Sequence, residues 1–460
     1  VHWRELLAAR LVADFRLVRP RVHVNLAQVR KEARDPIPVR KRGWQEALQA
    51  VYPLKINVFR IEDGDIIYVD QDPDRPLHLS HLTLRAANIR NIRSADRVYP
   101  SEVRADGVIF GTGRFEIDGR ADFLAEPFPG IRGSIVLDGI GLGHLEPVLS
   151  RYNLSVSGGV LSGEGEAEYA PSVRAFTLRR LVIRDVEADY VHTPATAKAE
   201  ERRKEKVKEA AKEVVNEPGI LIRADELTVQ GGSIGYVNGG ADPPYRVYFD
   251  NVSLTVTNLS NQEREGISSI RLRGAFMGSG TTAASAAFRP EKEGPDFDLD
   301  VKIEGTRMRA MNDLLRAYGN FDVVDGRFSL YSELAVRGDR ITGYVKPLFK
   351  DMKAYDRRQD RDKSLFRQLY EKLVGGVSGL LENRPRKEVA TKTDISGTVE
   401  NPRSSTMQIV ARLIQNAFFR AILPGFDEEL GRPNTAPRRG TGGPAKPGGG
   451  SSGSRDAKPD

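Results

Sequence analysis

The chain of 460 residues contains no cysteine. Disulfide staples, thiol nucleophiles and cysteine-based zinc sites are therefore excluded, while the compartment is left open, since disulfide-free proteins occur in reducing and oxidising compartments alike. Aromatic residues are 7% and apolar residues 39% of the chain, little for a compact globule. No run approaches the ~20 apolar residues that a membrane-spanning helix needs. There is no Gly-Lys-Ser/Thr phosphate loop and no Gly-x-Ser-x-Gly nucleophile elbow. A strong charge of one sign is missing as well. The formal net charge is +7, but residues 431–460 hold six Arg or Lys and two Asp, which leaves +3 for the 430 residues before them. The basic balance belongs to the tail rather than to a binding face, and no nucleic-acid partner is expected. The chain starts at Val1, not Met, and an anchor helix or signal segment is expected ahead of it.

Glycine is abundant, at 44 residues, and period-two alternation dominates. In Phe297-Asp298-Leu299-Asp300-Val301-Lys302-Ile303-Glu304 each odd position is apolar and each even one charged, as in a strand with one wet face. Arg327 to Val336 is a looser case. Ile109 to Ile117, Ile131 to Leu137, Leu154 to Tyr169 and Val247 to Val256 are further predicted strands, most of them bounded by Gly or Asp-Gly. Helical patterns are fewer. Trp44 to Val51 is short. Ala197 to Val215 is almost wholly charged, with Glu201/Lys204, Glu205/Lys208 and Glu209/Lys212 three apart, and reads as an exposed insert supported by its own ion pairs. Ser364 to Glu382 and Met407 to Leu423 carry apolar stripes, and Pro424-Gly425 stops the second. The second stripe, with Arg412 and Arg420 among its more polar positions, fits packing on the β core, a plug or a membrane-surface helix. From Gly431 the composition predicts a disordered tail.

The chain also repeats itself. Ile61, Gly64, Ile66 and Tyr68 in EDGDIIYVD match Val229, Gly232, Ile234 and Tyr236 in QGGSIGYVN. In order, Asn88-Ile89 match Asn258-Leu259, Gly111 and Gly113 match Gly278 and Gly280, and Ile135 and Leu137 match Val301 and Ile303. Leu145, Leu149 and Tyr152 match Met311, Leu315 and Tyr318, and Gly159 matches Gly326. An ordered series at a nearly constant offset implies an internal duplication. Repeated β units that cannot bury an apolar face alone stack into an extended sheet. If that face curves without closing it forms a trough; alternation alone equally describes a filled sandwich.

Candidate sites for chemistry are thin. Asp70, Asp72 and Asp74 open like a calcium loop, but the sixth and twelfth positions are Arg75 and His81, not Gly and Glu. His78 and His81, three apart in a strand, should point to opposite faces. The Gly pairs at 111/113 and 141/143 read as bends, and acidic pairs sit on the wet faces of strands. No catalytic, cofactor-binding or metal-binding residue is predicted, and the chain reads as a non-enzyme without a cofactor.

GDIIYVD and GSIGYVN, each followed by an apolar segment ending in Asn-Ile or Asn-Leu (Leu79 to Ile89, Phe249 to Leu259), resemble the AsmA-like family of bacterial envelope proteins. So do Asp339 to Val345, running into GDRITGYVKPLF, and the run from Leu365 through Ile395-Ser396-Gly397 to Leu423. The resemblance is to the branch known as domain of unknown function 748. It implies a mainly β protein: a duplicated, extended, curved antiparallel sheet with an open groove, a few peripheral helices and a disordered C-terminal tail. The expected divisions are N-terminal strands and a short helix over 1–53, unit one over 54–170, linking strands and the charged insert over 171–218, and unit two over 219–338. A C-terminal AsmA-like segment over 339–430 and the tail over 431–460 complete the chain. The resemblance further implies a periplasmic body anchored in the inner membrane. Its work would be to bind or transfer phospholipid or another acyl lipid between bacterial membranes in support of outer-membrane integrity. Envelope proteins are possible partners; a scaffold or assembly factor that binds proteins rather than lipid is the alternative. The residues expected to face the groove or core are Ile66, Tyr68, Ile234, Tyr236, Leu299, Val301, Ile303, Phe328 and Leu330.

Overall fold

A computed structural model describes residues 11–26, 54–70, 72–90, 95–123, 129–289, 296–319, 322–338, 340–355, 388–390 and 393–398. The chain divides into two units, Val1–Pro424 and Gly425–Asp460, and every described residue lies in the first. The predicted helices over 44–51, 364–382 and 407–423 and the tail from 431 fall outside the described residues.

The described residues form one long, open, curved sheet. Strands β1 (Leu11–Val18) and β2 (Arg21–Asn25) lie end to end, parallel to one edge of β3 (Leu54–Val69). Antiparallel neighbours follow in chain order: β4 (Leu77–Arg90), β5 (Ser101–Ile109), β6 (Gly113–Asp122), β7 (Gly130–Gly141), β8 (Leu154–Ala170) and β9 (Val173–His192). A parallel joint links β9 to β10 (Ile220–Asn238). Antiparallel order then resumes through β11 (Tyr245–Ser260), β12 (Ser268–Phe276), β13 (Gly280–Arg289), β14 (Asp296–Arg307), β15 (Asp322–Arg337) and β16 (Arg340–Tyr355). β17 (Glu388–Ala390) and β18 (Thr393–Thr398) share the last edge, on β16. Sixteen strand positions at ~4.8 Å spacing give a contour of about 70 Å along the sheet.

β3 to β9 and β10 to β16 have the same order of elements, with a short helical insertion before the sixth strand of each. Their registers agree. Tyr68 pairs with Leu77 and Ile66 with Leu79, while Tyr236 pairs with Val247 and Ile234 with Phe249. Left-handed residues fall at matching places: His81 and Asn251, Asn88 and Asn258, Phe110 and Met277. Arg19, Asp185 and Asp351 form a fourth such set, so β1/β2 stands before β3 as β9 stands before β10. By register each unit carries a seventh strand, β9 or β16, beyond the expected boundaries at 170 and 338. The sheet is also not wholly antiparallel. A parallel neighbour needs a long crossover, and the charged insert supplies one as α2 (Ala197–Val214), once α1 (Glu146–Leu149) has followed β7.

Two local expectations are corrected. Ile109 to Ile117 is not one strand, because the chain turns at Phe110–Thr112 with Phe110 and Gly111 left-handed. The two histidines do not follow the simple alternation. A bulge at left-handed His81 interrupts it, and both rings reach carboxylates of β3, His78 Nε2 at 3.4 Å from Asp65 and His81 Nδ1 at 2.9 Å from Asp63.

Each insertion caps part of the apolar face, the first reaching across the joint onto β10 and β11. In the first, Leu142, Leu145 and Leu149 pack on Val156, Val186, Val229 and Val252. In the second, Met308 and Met311 lead into α3 (Asn312–Gly319), and these two with Leu314 and Leu315 are at most 1% exposed. Both caps are pinned from the same position. Glu146 Oε2 accepts the Val156 N–H at 2.6 Å, and Asn312 exchanges two hydrogen bonds with the Val323 backbone at 2.9 and 3.0 Å. Arg151, beyond the first cap, meets the Asp70 carboxylate at 2.8 Å, and that carboxylate is 1% exposed. Removing one partner of a buried pair strands the other charge. Asp70→Ala is therefore expected to lower stability by about 3 kcal/mol, read from chemical denaturation, while the Asp70→Ala/Arg151→Met double variant recovers part of the loss.

Candidate functional site: one apolar face, hollow in the first unit and filled in the second

Alternation along the strands and pairing between them build a single apolar face. Phe115, Leu137, Gly163, Leu181, Leu227, Val256, Ile270, Ala286, Leu299 and Leu334 are successive cross-strand partners from β6 to β15. The next row over, Glu116, Val136, Glu164, Arg180, Glu226, Thr257 and Ser269, is mostly polar and belongs to the other face.

The apolar face differs between the units. In the second, Phe297, Leu299, Leu334, Val336 and Ile341 form a buried cluster. Phe328 is fully buried and its ring lies 5.5 Å from that of Phe349. In the first, one row runs Phe59, Ala86, Val103, Gly119, Gly133, Ala167. Its register equivalents in the second are Leu227, Val256, Ile270, Ala286, Leu299 and Leu334. Gly133 and Ala167 thus stand where the second unit has leucines. Gly163 likewise corresponds to Leu330, since each pairs with the preceding strand at Leu137 or Ile303. Gly119 and Gly133 meet so closely that a Cβ on Gly133 would lie 2.7 Å from the Asp118 carbonyl oxygen, so bulk cannot be added there without moving backbone. This row of small residues is the furrow of the first unit, and beside it the same face is packed around Leu82, Ala105 and Phe115. Phe15, Leu17 and Val22 lie on that face at its outer edge and Ile131, Tyr169, Phe176 and Ile222 toward the joint, each 41–47% exposed. Exposed apolar side chains grouped on one face mark a surface that meets something apolar.

The expected groove residues divide accordingly. Leu299, Ile303, Phe328 and Leu330 are buried core, and Val301 packs against it. Ile66 and Ile234 are half-buried against two other clusters. Tyr68, half-buried, has Val24 and Leu77 as its strand partners. Tyr236 stacks on Tyr190 with ring centroids 6.1 Å apart, and burial, helped by the negative surroundings, pushes its hydroxyl up to about 12. Phe15, Ile131, Tyr169, Phe176 and Ile222 were not singled out. The signal for them was the small-residue pattern in LSGEGEAEY, legible once aligned with Phe328 to Val336.

α2 is fixed on the apolar side at its first turns. Tyr190, whose neighbours Leu154 and Tyr236 set its face, meets Glu200 and Arg203. Glu200 also binds His192 Nδ1 at 2.8 Å, Thr196 Oγ1 at 2.5 Å and Asn153 Nδ2 at 3.0 Å. Arg203 donates to the Arg151 carbonyl at 2.6 Å and to Asn153 Oδ1. At the far end Asn261 Nδ2 donates to the Val214 carbonyl at 2.6 Å, and the Asn216 N–H to the Asn261 carbonyl at 2.9 Å. Val207, mid-helix, is 60% exposed.

The polar face of the second unit carries a shallow basin of about 650 Å³ over β12 to β16, bordered by Arg271, Asp298, Asp300, Glu333 and Tyr344. Three of these groups have partners: Tyr344 donates to Glu333 at 2.9 Å and Arg337 grips both Asp298 oxygens at 2.8 Å. Asp70 and its neighbours hold no cluster either, since Asp72 Oδ1 accepts the Asp74 N–H at 2.9 Å. Among the described residues no three His, Asp or Glu side chains are grouped to hold a metal, and no helix is long and apolar enough to cross a membrane. No family model, curated protein or solved structure matches the chain.

Burial raises the Glu200 carboxyl, but its hydrogen bonds from Thr196, His192 and Tyr190 outweigh this and hold it below the usual carboxylate range. A depressed folded pKa contributes stability that is present above the unfolded pKa and lost as pH falls through the folded one. The α2 anchor is therefore expected to loosen below about pH 4.5, near the unperturbed carboxylate pKa. Amide exchange over 197–203 should accelerate there before that of β8 and β9, and Glu200→Gln should show the fast exchange already at pH 7.

Proposed function

We propose that this chain is a non-enzymatic lipid-binding protein of the AsmA-like kind, which holds phospholipid acyl chains along the apolar face of its first unit. The observation that carries the reading is the contrast between two copies of one scaffold: where the second fills its apolar face with Leu299, Leu330 and Leu334, the first has Gly133, Gly163 and Ala167 and leaves Ile131 and Phe176 exposed. A monomer whose only need was a stable core would fill both. The mechanism is passive. Each methylene that leaves water for the furrow contributes about 0.8 kcal/mol, and the polar head stays solvated at the edge of the sheet. On the resemblance noted in the sequence, the proposal extends to a periplasmic body tethered to the inner membrane of a bacterial envelope, which passes phospholipid toward the outer membrane and supports its integrity. The filled second unit favours a second reading, a scaffold or assembly factor that binds envelope proteins.

Native mass spectrometry of gently purified protein, together with uptake of a fluorescent-tailed phosphatidylethanolamine from vesicles, tests the two. Bound phospholipid and saturable uptake are expected. Ala167→Leu, which copies Leu334, should cut uptake about tenfold while leaving stability equal or slightly higher. Repeated absence of lipid and of uptake by the parent chain would remove the lipid reading and leave the scaffold.

Core and furrow should also respond oppositely to truncation. Leu334→Ala is expected to cost about 2–5 kcal/mol, as for a buried leucine, whereas Phe176→Ala should cost less than about 1 kcal/mol and reduce lipid uptake. Urea titration and the uptake assay, run on both variants, separate the roles.

A further inference from the structure

We propose that the polar face of the second unit binds a short, uncharged oligosaccharide in the basin over β12 to β16. The inference is independent of the lipid reading, which concerns the opposite face of the sheet. It begins with the same comparison of two copies. Two rows of side chains border the basin. Ser269, Ala287, Asp298 and Ala335 are cross-strand partners along one, and Arg271, Ser285, Asp300, Glu333 and Tyr344 along the other. By register the first row corresponds to Glu102, Arg120, Arg132 and Glu168 of the first unit, and Arg271, Ser285 and Asp300 correspond to Arg104, Asp118 and Ser134. In the first unit the long charged side chains are locked in ion pairs: Arg104 meets Asp118 at 3.3 Å, Arg120 meets Glu102 at 3.5 Å and Arg97 meets Glu168 at 2.8 Å. The second unit has Ser269, Ser285, Ala287 and Ala335 in place of Glu102, Asp118, Arg120 and Glu168. A hollow of about 650 Å³ lies where that lattice of charges would be.

The border of the hollow is chemically mixed. Arg271 can only donate hydrogen bonds and the carboxylates of Asp300 and Glu333 can only accept them, while Ser285, Thr342 and Tyr344 do both. Among the described residues neither Arg271 nor Asp300 is in an ion pair. Asp300 and Glu333 are direct cross-strand partners, and like charges placed so destabilise a sheet. The first unit avoids this, with Ser134 opposite Glu166. Tyr344 relieves Glu333 at 2.9 Å, which leaves Asp300 to be met from the basin. Sugar hydroxyls suit all of these groups at once, since each can donate to a carboxylate and accept from Arg271 or a serine. With Arg271 and Arg337 standing against Asp298, Asp300 and Glu333, the site is close to neutral, as for an uncharged ligand. Its volume lies in the range of small-molecule sites. Other classes fit worse. An acyl chain would strand the polar groups, and nucleic-acid phosphates would meet carboxylates. An extended peptide adds to a sheet at its edge, whereas the strands under the basin are already paired.

Saturation-transfer NMR on the full-length chain tests the site, with maltotetraose, cellotetraose and chitotetraose as probes and tetralysine as a charge control. Saturable binding of at least one saccharide is expected. No saccharide binding, or binding of tetralysine alone, overturns the proposal. Two fillings copied from the first unit then locate the site. Ser285→Asp rebuilds, beside Arg271, the pair made by Arg104 and Asp118. The Ser269→Glu/Ala287→Arg double variant rebuilds the pair made by Glu102 and Arg120. The scaffold already carries both pairs, so urea denaturation midpoints are expected to stay at the parent value while saccharide affinity falls about tenfold or more, as for a lost hydrogen bond to a charged group. Asp300→Ser, which copies Ser134 and removes the like-charge pair, should weaken binding by a similar factor without loss of stability. Fillings that fold like the parent and bind the saccharide equally well overturn the basin as its site. Should one filling fail to fold, the other and Asp300→Ser carry the test.

Discussion

An extended sheet whose strands alternate strictly has one apolar face, and that face must be removed from water. Everything else in this molecule depends on how this is done. With some sixteen strand positions the face is far too long to be closed by the two short helical caps, which cover only part of it. The remainder is either filled from within by large side chains or left for something else to cover. Both solutions are present in one chain, on two copies of the same scaffold.

The second unit takes the first solution. Phe297, Leu299, Leu330 and Leu334 are 1–6% exposed, and their aromatic and leucine bulk replaces the partner layer that a sandwich would supply. The first unit takes the other. Its row through Gly119, Gly133 and Ala167 has too little side chain to cover its own backbone, while the flanking Ile131, Tyr169 and Phe176 stand exposed. The glycines are not interchangeable with alanine. The Gly119–Gly133 contact brings two strands together at backbone distance, so the furrow is built into the register rather than left by the chance absence of a leucine. The division of labour also explains why the unit with the exposed face can persist: its sheet continues through the β9–β10 ladder into a neighbour that is packed.

Much of this was legible in the sequence. The strands around Phe297-Asp298-Leu299 and Arg327 to Val336 follow from alternation, and the matched positions from Ile61/Val229 to Gly159/Gly326 fall on matched places in the sheet. Other features were not legible, for physical reasons. Alternation sees one strand at a time, so it cannot tell that β9 and β10 run parallel, nor that residues 173–192 belong to the first unit's sheet. A bulge resets the period, which is why His78 and His81 both reach carboxylates of β3. Above all, alternation tells which face a residue occupies but not whether that face is full. Leu299, Ile303, Phe328 and Leu330 were expected to face the groove or core without a choice between them and are core, because volume, not polarity, separates the two cases. Exposed Phe176 lies next to Ala167 in a strand pair whose small and acidic residues alternate in LSGEGEAEY, a pattern with almost no hydrophobic signal.

The same reasoning accounts for the odd composition of α2. A helix that packs on a core is stabilised by its apolar stripe, and propensity matters little. A helix that stands away from the sheet has no such stripe to rely on and must hold itself together. The sequence spaces opposite charges three residues apart and interleaves alanines, both of which favour a helix without tertiary support, and among the described side chains polar anchors hold its two ends.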